Sequence, residues 1–421
     1  MKRLVFASGI LAFLLMCQTG WTRTLEEVLK EKGVITEADF KEVAGSKPVA
    51  YQPGKGFTFT SPDGKFQLSL AGRGQFHYQY VDKDDVNGPL AETSLWRIRR
   101  FKVSMGGYAF TRDLTYRVQM DLAKSGTAQM LDDAWINYRF GDAAQLQAGQ
   151  FKMPFSRQEL TSDGALQFVD RANAVDVFKP SYDVGAMVQG KVAGGRLAWN
   201  AGLFNGTGQS GTRTTNSGAW AARLVFNPFG EVRYSEPDLE STPKPLLSAG
   251  AGYFANTLKR NGNATFLDTS TTVPAYSGTS GWLGKAAKDT TIFDNTERVD
   301  VETYGFDAAF RWRGLSAQGE YFGGKGEGRN QGRTVHSRGY YGQAGYFLLP
   351  KKLEVAARYS SVDPNRDRLR DMQIEVTGAV SYYFEGHNLK IQGDYTNIHI
   401  QVAGKQATDD KQIRVQAQLA F

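Results

Sequence analysis

Thiols, histidines and long apolar runs are all scarce in this 421-residue sequence. The only cysteine is Cys17, which excludes a disulfide framework and a cysteine-ligated metal centre. The four histidines, His77, His336, His387 and His399, show neither HxxxH nor HExxH spacing. No metal site, cofactor or catalytic dyad is expected from them. Beyond Met16 no stretch reaches the ~18 apolar residues of a spanning helix, so a helical membrane protein is excluded. Apolar residues reach only 41%, below the ~45–50% of soluble domains, and mean hydropathy is −0.42. Glycine has no period of three, which excludes collagen, and abundant aromatics exclude low-complexity disorder. The formal charge of +7 is spread without a basic tail, so no nucleic-acid partner is expected.

What is present is aromatic and glycine-rich: 12% aromatics and 47 glycines, the latter above the usual ~7%. Sheet proteins that are polar on one face have this profile. The N-terminus carries Lys2 and Arg3 and then an apolar stretch from Leu4 to Met16. Residues 1–22 therefore read as a signal peptide for export. Its removal would take Cys17 and lower the charge from +7 to +5 with the loss of Lys2 and Arg3. Residues 23–45 read as a short periplasmic helical segment. Leu25, Val28 and Leu29 keep helical spacing, Gly33 is a C-terminal stop, and Thr36-Glu37-Ala38-Asp39 opens a second helix. Residues 46–64, with Pro48, Pro53, Gly54, Gly56 and Pro62, read as a linker.

From Phe66 the period becomes two. Phe66, Leu68, Leu70, Phe76, Tyr78 and Tyr80 alternate with Gln67, Ser69, Arg73, Gln75, His77 and Gln79. The same alternation returns through Ile413, Val415, Ala417, Leu419 and Phe421 at the C-terminus. About sixteen such stretches begin near 66, 95, 113, 131, 144, 183, 196, 217, 246, 300, 314, 336, 353, 371, 388 and 411. Mostly tight joins, at Arg112-Asp113, Gly141-Asp142, Gly194-Gly195, Asn227 to Thr242, Gly314, Pro350-Lys351 and Glu385-Gly386, alternate with long ones. The long ones are 82–94, 124–130, 153–182, 205–216, 258–299, 323–335, 361–370 and 400–410. Long loops on one side and short turns on the other predict an all-β fold: a 16-stranded antiparallel transmembrane β-barrel over 65–421.

In a closed barrel the polar set faces the lumen. That set includes Arg73, then Arg97, Arg99, Arg100 and Lys102, with a slip of phase near Arg99-Arg100, then Arg117 and Arg139. These lie on successive strands and predict one basic wall. Arg311, Arg313, Arg358 and Arg414 lie elsewhere on the ring, and Asp121, Asp133, Asp307, Glu320, Glu375 and Asp394 also point inward. Ladders of Arg and Lys select anions. A structural alternative is that Arg–Asp pairs merely brace the wall. The long connection 153–182 is the expected constriction loop, carrying Arg157, Glu159, Asp163, Asp170, Arg171, Asp176 and Lys179. Gly323 to Gly328 lacks P-loop spacing and reads as a flexible loop.

The stretch Leu131-Asp132-Asp133-Ala134-Trp135-Ile136-Asn137-Tyr138-Arg139-Phe140, followed by Ala148-Gly149-Gln150-Phe151-Lys152-Met153-Pro154-Phe155-Ser156, resembles the phosphate-selective porin O/P family. So do Glu159 to Arg171 and the segment Leu25 to Thr36. The resemblance implies a homotrimeric porin of the bacterial outer membrane, with the third long loop folded into the channel. It implies small anions or other small hydrophilic solutes as cargo, lipid as surroundings, and no enzymatic activity. The family's arginine ladder has counterparts in Arg97, Arg99, Arg100, Arg117 and Arg139. Its lysine cluster has none between Thr161 and Arg171; Lys152 and Lys179 flank that stretch and Lys124 precedes it. Phosphate, polyphosphate, another small anion, or little selectivity all stay open. The alternative is a barrel serving as scaffold for an enzyme, or for an adhesin built on the 258–299 loop.

Overall fold

A computed structural model describes residues 29–34, 36, 49–84, 86, 92–124, 130–209, 218–261, 265–266, 298–330, 332–401 and 405–421. The chain divides into two compact units, Met1–Ala50 and Tyr51–Phe421. In the first, residues 29–31 are helical. Gly33 closes that turn at φ 67, its amide donating to Lys30 O at 3.0 Å and that of Val34 to Leu29 O at 2.9 Å. This is the Schellman arrangement that glycine permits. The signal peptide and most of the second N-terminal helix lie outside the described residues. The stretch read as a linker, 46–64, instead carries two short strands, Val49–Gln52 and Gly56–Thr60.

The second unit is a closed barrel of sixteen antiparallel strands. They are β1 (Phe66–Asp82), β2 (Thr93–Ala109), β3 (Thr111–Asp121), β4 (Leu131–Gly141), β5 (Ala144–Lys152), β6 (Tyr182–Val192), β7 (Leu197–Phe204) and β8 (Ala219–Phe226). The second half is β9 (Leu246–Asn261), β10 (Arg298–Trp312), β11 (Leu315–Gly328), β12 (Thr334–Leu349), β13 (Leu353–Asp363), β14 (Gln373–Tyr383), β15 (Leu389–Ile400) and β16 (Thr408–Ala420). Each strand pairs with its neighbours in sequence, and β16 closes the ring on β1 from Lys411↔Asp82 to Ala420↔Arg73. The seam ends in reciprocal bonds between Gly72 and Phe421, at 2.7 and 2.9 Å. A Cβ at Gly72 would lie 2.5 Å from the Phe421 ring, so a side chain there would require that ring to shift.

The sixteen starts agree with the alternation to within a few residues; the largest displacement is β16, which begins at Thr408 rather than near 411. Outward rows are apolar and exposed, as in Tyr304, Phe306 and Trp312 on β10, where they meet hydrocarbon and its interface. Inward rows are polar, including Gln75, Gln119, Asp307, Gln392 and Gln416. The slip of phase near Arg99 is a β-bulge: Gln75 pairs with Arg100 and Phe76 with Ile98, leaving Arg99 as the extra residue.

Four local expectations change. The β2–β3 turn is at Phe110, with φ 64, rather than at Arg112-Asp113. Gly323 to Gly328 is not a loop, because Gly323–Gly328 pair with Val299–Tyr304 in the β10–β11 ladder. Arg313 leaves the lumen; it takes φ 49 in the turn and sits 5.3 Å from the Trp312 ring centroid. Residues 227–245 are not a tight turn either. This connection folds inward and buries Val232, Glu236 and Asp238. Most of the 258–299 loop lies outside the described residues.

Candidate functional site

Residues 153–181 leave the end of β5 and pack against inward-facing side chains of the barrel. Ser156 caps a short helix, α1 (Arg157–Leu160), by accepting the Glu159 amide at 3.2 Å. The wall completes that cap. Glu320 on β11 accepts from Ser156 Oγ at 3.1 Å and from the amides of Arg157 and Gln158 at 2.9 and 2.7 Å. A second helix, α2 (Asn173–Phe178), buries Ala174, Val175, Val177 and Phe178. Phe178 stacks on Phe322 with centroids 5.5 Å apart, and Phe155 lies 5.9 Å from the same ring. Val299, Val301, Val335 and Val362 extend this apolar patch on β10, β12 and β13. Burying each such aromatic side chain stabilises the docked segment by ~1.5–3 kcal/mol.

The opposite face of the segment is acidic and meets the basic wall. Asp163 lies against Arg73, Arg100 at 3.1 Å and Lys102 at 2.8 Å. Asp170 lies against Arg99 at 3.2 Å, Arg100 at 2.8 Å and Arg414 at 3.7 Å. Glu159 gathers Lys152 at 3.9 Å and Arg171 and Lys179 at 3.2 Å each. Each acid thus meets three cations through charge-assisted contacts. Burial alone would raise the Glu159 carboxyl, but Arg171, Lys179 and Lys152 outweigh it and hold it at about 2. Burial is likewise outweighed at Asp163 by Arg73, Lys102 and Arg100, and at Asp170 by Arg100, Arg99 and Arg414; both stay well below the usual carboxylate range.

The remaining candidates divide by role. Arg117 stays half-open to the lumen, 3.5 Å from Asp133. Lys124 and Lys102 share Asp132 at 2.6 and 2.7 Å. Arg157 is fully buried, donating to the carbonyls of Val232 and Arg233 at 3.2 and 3.1 Å, so it anchors rather than lines. Two arginines stand apart. Arg97 is exposed and bonded to Gln79 at 3.0 Å. Arg139 pairs with Asp113 and Asp142 at 3.2 and 3.3 Å near the short-turn end, where it braces the wall.

Two adjoining cavities run along β1 to β7 beside the docked segment. One, about 730 Å³, is lined by Lys55, Arg73, Lys102 and Arg117 with no carboxylate. The other, about 340 Å³, carries Arg73, Lys102, Arg117 and Lys152 against Asp133 and Asp163. Trp135 lines both. Lys55 lies outside the alternating strands, so no periodicity marked it. The apolar patch on the inner wall left a signal in Phe322, Val335 and Val362, which sit in the lumen phase of their strands. His387 meets Ser235 at 3.0 Å, and its other ring nitrogen has no hydrogen-bond partner among the described residues.

Comparison with known proteins places this geometry. A protein of Aquifex aeolicus (strain VF5), described only as uncharacterized, is 26% identical over 463 residues, covering 100% of both chains. The anion-selective porin from Comamonas acidovorans matches at a TM-score of 0.57 with 12% identity, covering 84% of this chain and 99% of that one. The outer membrane channel DcaP of Acinetobacter baumannii matches at 0.54 with 14% identity, covering 86% and 99%. The trimer form of OmpT from Vibrio cholerae matches at 0.53 with 12% identity, covering 84% and 99%. At these identities the solved structures speak for the fold. The family model described as phosphate-selective porin O and P matches residues 70–421, and the chain belongs to that family of outer-membrane porins.

Proposed function

We propose that this porin passes small hydrophilic solutes with a bias towards anions, including phosphate or polyphosphate. The observation that carries the reading is the cation excess along the open side of the lumen. The larger cavity has four cations and no carboxylate, and the smaller has four cations against two carboxylates. A low-dielectric wall strengthens that field and favours anion entry. Arg73, Lys102 and Arg117 line both cavities and are assigned the path, with Lys152 beside the narrower one. Arg99, Arg100, Arg171 and Lys179 serve mainly to hold the acids of the docked segment. Segment 153–181 is assigned as the constriction, since it fills the other side of the barrel. Export through the signal peptide and assembly as a homotrimer belong to the same reading.

Planar-bilayer recording tests it. In a potassium chloride gradient the reversal potential should carry the sign of chloride preference, and phosphate or pyrophosphate should reduce chloride current more than a neutral sugar does. Cation preference, or equal block by sugar and phosphate, sinks the proposal.

A further inference from the structure

At the short-turn end of the barrel, two connections are tied together on the outside of β7 to β9. The Asn227 amide donates to Arg196 O at 2.7 Å, and its side-chain amide to Gly195 O at 3.2 Å. These bonds set Arg196 beside the start of the 227–245 connection, whose far end brings Lys244 and Pro245 to the same place. Between them lies a groove of about 530 Å³ lined by Arg196, Pro228, Phe229, Lys244 and Pro245. Phe229 is 67% exposed. The groove continues the outward apolar rows of β8 and β9, where Leu224, Phe226 and Leu247 are exposed. Arg196 and Lys244 are both exposed, and neither meets a carboxylate among the described residues.

Two unpaired cations around an apolar floor, at the edge of a hydrocarbon-facing surface, form a two-part recognition site. The cations match a phosphodiester, and the aromatic and proline surface matches the upper acyl chain. Arg supplies a fork of donors for phosphate oxygens, and Lys a second point charge. We propose that this groove holds the headgroup of an anionic phospholipid from the leaflet at the short-turn end. The site is separate from the lumen and shares no residue with the two cavities above. It rests on the barrel's membrane setting, and the solute preference of the channel does not bear on it.

The test uses the full barrel purified in detergent, titrated with phosphatidylglycerol and examined by native mass spectrometry. Wild type should retain the lipid, and the double variant Arg196→Ser/Lys244→Ser should retain about tenfold less. The swap Arg196→Lys/Lys244→Arg keeps both charges and should hold the lipid nearly as wild type does. Diacylglycerol, with the same chains and no phosphate, should not be retained. Equal retention by wild type and the serine variant overturns the proposal, and so does retention of diacylglycerol on a par with phosphatidylglycerol. Unchanged single-channel conductance of the serine variant verifies that the barrel is intact.

Discussion

Glu236 accepts the backbone amide of Gln167 at 2.7 Å, joining two segments that enter the barrel from opposite ends. The same carboxylate accepts from Gln158 Nε2 at 2.7 Å and Gln318 Nε2 at 2.9 Å. The Glu236 amide in turn donates to Ala165 O at 2.9 Å. The docked position of 153–181 therefore depends on the inward fold of 227–245. Glu236→Ala strips the buried Gln167 amide of its acceptor, a cost of ~1–3 kcal/mol, and leaves Gln158 Nε2 and Gln318 Nε2 with one acceptor each, Gln343 and Tyr341. The expected outcome is a larger and noisier single-channel conductance in an otherwise folded barrel. A conductance trace indistinguishable from wild type would show that the two segments are not coupled through this side chain.

Arg157 offers a second handle on the same joint. Its guanidinium is enclosed by the Val232 and Arg233 carbonyls, Ser248 and the Tyr234 ring, whose centroid is 4.9 Å away. Arg157→Ala removes these contacts and strands the carbonyls, a loss of about 2–4 kcal/mol of docking. The barrel seam does not pass through this residue. Limited trypsin digestion of the variant should therefore cut after Arg171, which is largely buried in the native protein. Continued protection of the Arg171–Ala172 bond counts against an anchoring role.

How far the sequence could be read follows from the kind of contact involved. Strand positions came from a period-two pattern that each strand carries alone, so β10 and β16 are visible in Tyr304–Trp312 and Ile413–Phe421. The slip at Arg99-Arg100 is visible too, because two adjacent cations cannot both keep the lumen phase. What pairs with what is not local. Nothing near Asp163 announces Arg73, ninety residues earlier, and nothing near Glu320 announces the cap of α1. The inward fold of 227–245 was hidden for the same reason: its buried Glu236 and Asp238 look like ordinary turn residues. The basic wall was legible as a list of cations, but its division into lining and loop-holding members required the acids to be in place.

That division gives a selectivity prediction. Arg117 is the most open of the path cations, with 42% of its side chain exposed, and its one close carboxylate among the described residues is Asp133 at 3.5 Å. Arg73→Glu/Lys102→Glu would also disturb Asp163, whereas Arg117→Glu changes the field with least effect on the docked segment. The single variant should move the reversal potential towards cations. Arg139→Glu, at the braced short-turn end, should leave it unchanged. Equal shifts from the two substitutions would place the selective field elsewhere on the ring.

The acids of the docked segment set its response to pH. Glu159 is held at about 2, below its ordinary 4.5, by Arg171, Lys179 and Lys152. A carboxyl depressed by folding contributes stability that is complete above its ordinary value and is lost as pH falls through the depressed one. Asp163 and Asp170 are shifted in the same direction by the wall arginines and Lys102. The contribution of these three acids to docking should therefore be constant above about pH 5 and decline as pH falls below 4.5, that of Glu159 being lost through about pH 2. Single-channel recordings on acidification should show open-channel noise that rises beneath about pH 4.5. Glu159→Gln, which abolishes one of these titrations, should be noisier than wild type already at pH 7 and show a smaller further change on acidification. Noise that begins between pH 6 and 7 in the wild type would point to a group other than these three carboxylates.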